Sequence, residues 1–199
     1  MSRIWAGLCR LALIIAVALS GACERGAPTF RATDVTGASF GRNFELVDHT
    51  GKARKLADFR GKVVVLFFGF THCPDVCPTT LAELAGALKH LGPEAERVQV
   101  LMVTVDPQRD TPEILSAYVT AFNAGFLGLS GTEKQIADVA REFKVIYQKV
   151  EGSGADNYTM DHSAGTFIFD TQGRLRLYFG YGQRAEAYAH DIEQLLRAA

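Results

Sequence analysis

An α/β fold is the class this chain predicts, and three observations predict it. Apolar, strand-like runs alternate with helical segments from residue 63 onward. Two cysteines in a CxxxC spacing follow the first long run directly. A β-hairpin and a helix close the chain.

Each element follows from local pattern. Residues 24–39 mix Gly, Ala, Thr and charges without sustained periodicity and read, with Cys23, as a tether over 23–39. The domain proper is expected over 40–199. Residues 44–47 and 53–56 flank a turn signal at 48–51 and predict a β-hairpin. The apolar block 63–68 predicts a buried strand, and Pro78 before Thr79, Thr80, Leu81, Ala82 and Glu83 reads as the first turn of a helix over 78–91. A strand at 98–105, a helix at 112–122, a short strand at 126–129, a helix at 132–143 and a strand at 145–150 follow. A hairpin of 166–170 with 174–179 across Gly173, then a helix at 185–196, complete the pattern. A strand, a CxxxC turn at a helix start, further βα units and a closing hairpin plus helix predict a thioredoxin-like fold with an added N-terminal β-hairpin. The cysteine turn then lies at the carboxyl end of a central strand, where open α/β sheets build their sites.

With 199 residues the chain suits one well-buried domain. Its hydrophobic content of 48%, charged content of 22% and formal net charge of −1 carry no nucleic-acid signal. The N-terminus departs from this average. Arg3 and Arg10 precede the apolar run 11–19, and Ser20, Gly21 and Ala22 lead into Cys23, so residues 1–22 read as a secretory signal. The placement of Cys23 resembles a bacterial lipoprotein signal, in which that cysteine becomes the lipidated first residue. Leu19 stands four residues before Cys23 rather than the usual three, so plain cleavage and an uncleaved anchor stay open. All three readings export the domain to the periplasm or cell surface. Cleavage would remove Arg3 and Arg10, leaving 19 basic against 22 acidic residues and a charge of −3. It would also remove Cys9, so that Cys73 and Cys77 are the cysteines of the folded part. In an oxidising compartment such a pair is a structural disulfide, a redox couple or a metal site.

Spacing narrows these choices. A c-type haem site needs CxxCH and a zinc ribbon needs a second pair; the run Thr71, His72, Cys73, Pro74, Asp75, Val76, Cys77, Pro78 offers neither. Its three interior residues also differ from CxxC redox motifs, and a cross-link closing so short a loop stabilises little. A helix N-terminus beside both sulfurs favours the thiolate, the form that binds metals and attacks disulfides. The second piece is Asp161, His162, Ser163, after the Gly-rich loop 152–157 and before the strand at 166. In a thioredoxin-like topology this loop faces the cysteine turn. Two thiolates and one imidazole form a soft, low-coordinate set that suits copper, whereas a closed zinc site wants four ligands. Thioredoxin-type oxidoreductases place a cis-proline in this loop. The prolines here are 28, 74, 78, 93, 107 and 112, none near His162, which shifts weight from dithiol exchange toward metal.

Three segments, Thr71 to Pro78, Asp106 to Pro112 and Tyr158 to Ser163, occur in an order that closely resembles the SCO/SenC family, across roughly 40–196. Members of that family are copper proteins that help assemble the binuclear copper centre of cytochrome c oxidase. The resemblance places the copper ligands on Cys73, Cys77 and His162 and none on Glu83 or the rest of the first helix. In the turn at 106–112, Thr111 is expected to cap the helix beginning at Pro112, and the acids to complement its dipole. Docking of a partner by Asp106 or Arg109 is the secondary reading. His72 is expected to point away from Cys73, Met160 to pack in the core, and Asp75 and Asp161 to orient the site. His49, His90 and His190 are expected to carry no ligand role.

The reading that unites these features is an exported, membrane-tethered metallochaperone without turnover. It would hold one copper, as Cu(I) or Cu(II), and pass it to the copper-bearing subunit of the oxidase. Loading needs a reduced pair, which implies a thiol–disulfide reductase as a partner. The alternative is a thiol–disulfide oxidoreductase acting through Cys73 and Cys77 on the oxidase subunit or other exported proteins. A peroxiredoxin-like peroxidase is a weaker third.

Overall fold

The computed structural model describes residues 29–152 and 158–198. The signal reading, Cys23 and residues 153–157 of the Gly-rich loop lie outside the described residues. Ten strands are described: β1 (Thr33–Asp34), β2 (Glu45–Asp48), β3 (Ala53–Lys55), β4 (Val63–Gly69), β5 (Val98–Thr104), β6 (Leu127–Ser130), β7 (Tyr147–Glu151), β8 (Tyr158–His162), β9 (Gly165–Phe169) and β10 (Leu175–Gly180). The helices are α1 (Val76–Leu91), α2 (Pro112–Thr120), α3 (Glu133–Glu142) and α4 (Ala185–Arg197).

Eight strands form one mixed sheet in the order β1-β10-β9-β4-β5-β6-β2-β3. β4 is central because all seven of its residues are buried and mostly branched or aromatic, which requires cover on both faces. It pairs parallel with β5 and antiparallel with β9. The period-two alternation of side chains divides the core in two. Val63, Val65 and Phe67 pack with Leu81 and Leu84 of α1 and Ile192 and Leu195 of α4. Val64, Leu66 and Phe68 face Ile136, Val139 and Phe143 from the α3 side. Cys73 packs against both clusters, at the end of the sheet where the two layers meet. This is the thioredoxin-like α/β arrangement with an added hairpin, β2–β3, paired onto β6. Among the described residues, no helix is long and apolar enough to cross a membrane.

Three local expectations change. First, α1 begins at Val76, not Pro78, with Asp75 as its N-cap. Proline is tolerated at the third helical position because first-turn amides have no partner inside the helix. Second, the stretch read as a tether contributes β1, which pairs with β10 through Thr33 and Tyr178. The amides of Arg31 and Ala32 also donate to the buried Asp191 carboxylate, at 2.9 and 2.8 Å. A two-residue strand has no periodicity to read, and its partners lie at the far end of the chain. Third, residues 158–162 are a strand rather than a loop. β8 pairs antiparallel with β7 in a separate two-stranded ribbon, placing His162 opposite Tyr147. The short polar run Tyr-Thr-Met-Asp-His carries little strand signal until a partner supplies the ladder.

Candidate metal centre

β4 ends at Gly69 and delivers Phe70 and Thr71 to the top of the sheet, where the chain turns through Cys73 into α1. Cys77, the second residue of that helix, is 1% exposed and points under the turn. Its amide donates to Cys73 Sγ at 3.4 Å, so the helix N-terminus presents an N–H to sulfur as the spacing implied. The absence of a side chain at Gly69 makes room for this. A Cβ built there would come within 2.7 Å of Cys77 Sγ.

The imidazole arrives from the end of β8. His162 Nε2 lies 3.8 Å from Cys77 Sγ, and the two sulfurs and a ring nitrogen all lie within 4.8 Å of one another. His162 Nδ1 is 3.1 Å from the Ser163 carbonyl, which can only accept. Nδ1 therefore donates to that carbonyl, which leaves Nε2 as the ring nitrogen that faces the sulfurs and is placed to ligate a metal. The Phe70 ring, 2% exposed, stands nearly perpendicular to the imidazole with centroids 5.9 Å apart.

Neither Cys73 nor Cys77 is in a disulfide. They differ in electrostatics. The Cys77 thiol donates to Cys73, and with the Cys77 and Asp75 amides this holds the half-buried Cys73 down at about 5. The same hydrogen bond and burial push Cys77 well above the usual thiol range. One sulfur is thus a ready thiolate and the other its proton donor. Replacing that proton by a soft cation satisfies both sulfurs and the Nε2 lone pair together, so the donor set fits a copper ion.

The turn between β5 and α2 supports the site from below. Thr111 Oγ accepts the Ile114 amide and Pro112 opens the helix, as expected. Asp110, 1% exposed, has a different task from dipole complementation. It accepts the amide and hydroxyl of Thr71 and the hydroxyl of Thr104. Asp106 and Arg109 pair with each other and with Tyr158. Asp110 and Tyr158 are the supporting residues that the sequence reading did not single out. The contacts that tie them to the site reach partners about forty residues or more away.

The remaining candidates fall outside the cluster. His72 is exposed, with Nδ1 3.2 Å from Thr71 Oγ1. Met160 packs in the core beside β7. Asp75 and Asp161 are exposed, and Asp75 accepts from Thr79 rather than from a ligand. His49 accepts the Gly128 amide, His190 contacts Asp191, and His90 lies 3.9 Å from Glu186. Glu83 caps α4 by accepting the Ala185 amide at 2.6 Å.

Comparison with known proteins agrees with this geometry. The SCO1/SenC family model matches residues 32–197. The mitochondrial SCO2 homolog of Bos taurus is 37% identical over 185 residues, 92% of this chain and 70% of that protein. The copper-bound structure of Bradyrhizobium japonicum ScoI superposes with a TM-score of 0.73 at 38% identity, covering 79% of this chain and 100% of that one. The apo solution structure of Sco1 from Thermus thermophilus gives 0.72 at 43% identity, covering 87% and 99%. On a family match through nearly the whole folded domain, the chain belongs to the SCO1/SenC family.

Proposed function

We propose that this protein is a copper metallochaperone that holds one ion through Cys73, Cys77 and His162 and passes it to the copper-bearing subunit of cytochrome c oxidase. The observation that carries the reading is the convergence of two sulfurs and the Nε2 lone pair within 4.8 Å at the top of the sheet. Family membership supports the setting, since the neighbour BsSco is a member of the Sco family of cytochrome c oxidase assembly proteins. Copper bound in the Bradyrhizobium relative supports the cargo.

Release follows from exposure. Cys77 is enclosed while Cys73 and His162 are half-buried, so an acceptor ligand reaches the ion from their side and displaces them before Cys77. Transfer is then stepwise ligand exchange, in which each copper–ligand bond to the chaperone is replaced by one to the acceptor and no covalent bond within the chaperone breaks. Reduction of the pair precedes loading, which makes a thiol–disulfide reductase a partner. An exported, membrane-tethered location rests on the basic, apolar and small-residue order of residues 1–22 and on Cys23. Loaded protein mixed with the copper-free domain of the oxidase subunit tests the proposal. Copper should appear in the acceptor, and a Cys73→Ser donor should fail to deliver; retention of all copper on the donor would refute delivery.

One observation favours a second reading. A thiolate near pH 5 paired with an enclosed thiol is also the arrangement of a nucleophilic and a resolving cysteine. Rapid reduction of a protein disulfide by the copper-free form, lost in Cys77→Ser, would favour the oxidoreductase.

A further inference from the structure

The ribbon that carries His162 is not part of the main sheet. Among the described residues, its hydrogen bonds to the rest of the domain are made at two places. Cys77 meets His162, and the turn after β5 meets Tyr158. The second contact is dense. Arg109 lays its guanidinium 3.6 Å from the Tyr158 ring centroid and donates through Nη1 to the Tyr158 carbonyl at 2.8 Å. Its Nε pairs with Asp106, and the Tyr158 hydroxyl donates to the other Asp106 oxygen at 2.9 Å. Asp106 is 2% exposed, so the ring of contacts closes on a fixed carboxylate. Tyr158 stands four residues before His162, and alternation along β8 puts Tyr158, Met160 and His162 on one face, all partly buried.

One residue beyond Arg109, the same turn grips the other half of the site. Asp110 holds Thr71, two residues before Cys73, by both amide and hydroxyl. We infer that the turn from Asp106 to Asp110 is the spacer that sets the separation between imidazole and thiols. Arg109 is the positioning residue for His162, and Asp110 for the cysteine turn. The inference deepens the copper reading and rests on it for its consequence. Cu(I) is satisfied by two thiolates, whereas Cu(II) needs the nitrogen donor, so the spacer governs Cu(II) affinity above all.

The test compares Arg109→Ala, Arg109→Lys and His162→Ala with wild type in two measurements. Amide exchange in the copper-free protein should be faster at residues 158–162 in Arg109→Ala, with β4 and β5 unchanged. Titration should show Cu(II) affinity falling about tenfold or more and the thiolate charge-transfer band shifting, as for loss of a residue that orients a ligand, while Cu(I) affinity stays near wild type. Lysine keeps the charge beside Asp106 but not the planar stack and fork on Tyr158, so Arg109→Lys should be intermediate. Wild-type ribbon exchange and spectrum in Arg109→Ala, with both altered in His162→Ala, would overturn the spacer and leave the copper reading standing. Failure of wild type to bind copper would overturn that reading, and exchange at 158–162 would still decide the role of Arg109.

Discussion

The Asp110 carboxylate accepts the Thr71 amide at 3.1 Å and the Thr71 hydroxyl at 2.6 Å across 39 residues of sequence. The link fixes the last residue pair before Cys73 to the turn beyond β5, and it does so inside the protein. Removing the acceptor strands three donors, the third being the Thr104 hydroxyl. Asp110→Ala should therefore lose about 1–3 kcal/mol of stability, read as a lower urea midpoint, and Asp110→Asn less because one acceptor oxygen remains.

The same carboxyl makes a pH prediction. Burial raises Asp110 above its ordinary 3.8. A carboxyl that holds its proton more tightly when folded stabilises the fold below its raised value and loses that contribution as pH rises through it. The stability difference between wild type and Asp110→Asn should shrink as pH increases over that range. Denaturant midpoints measured from acid to neutral pH check this; a gap that widens with pH contradicts it.

Gly69 predicts a packing effect confined to one sulfur. A methyl at this position meets Cys77 Sγ at 2.7 Å and the Phe67 ring at 3.3 Å, both in the core. Gly69→Ala should cost about 1–3 kcal/mol and push Cys77 out of line with His162. Weakened copper binding alongside the lower unfolding midpoint is the expected result.

Cys73 predicts how the reduced, copper-free protein reacts. With its thiol held at about 5, alkylation by iodoacetamide should stay fast down to mildly acid pH, whereas Cys77 should remain unmodified. The linked stability has a definite sign. A depressed folded value contributes stability above the ordinary thiol value of about 8.5, and that contribution is lost as pH falls toward about 5. Mass spectrometry of the alkylated chain across this range reads both the site and the titration.

Asp191 supplies a control far from copper chemistry. It holds the amides of Arg31 and Ala32 and contacts His190 at 2.8 Å, so it ties the N-terminal segment to α4. Asp191→Ala should lose about 1–3 kcal/mol and open residues 29–34 to proteolysis, with copper binding unchanged. Cleavage mapped by mass spectrometry, together with metal titration, separates the two effects.

What was legible in the sequence was what local pattern encodes. The seven-residue run of β4 announces a buried central strand, Thr111 and Thr132 mark helix starts that they do cap, and CxxxC at a helix N-terminus announces available sulfur. His162 was legible because its neighbours belong to a family motif. Its location on a strand was not, since β8 gains its ladder from β7 across the loop. Asp110 read as an acid complementing a helix dipole and Arg109 as a docking residue for the same reason. Their partners, Thr71 and Tyr158, lie 39 and 49 residues away, and only the folded chain brings them together. Proline at the third position of α1 misplaced the helix start because either side of the first turn accommodates it.

The central claim is that Cys73, Cys77 and His162 form one copper site, and titration of the reduced protein followed by absorption tests it most directly. The account predicts one copper per chain with a thiolate-to-Cu(II) charge-transfer band, weakened by about a hundredfold or more in affinity in Cys73→Ser and Cys77→Ser and altered in His162→Ala. The same stoichiometry and spectrum in all three variants would contradict it.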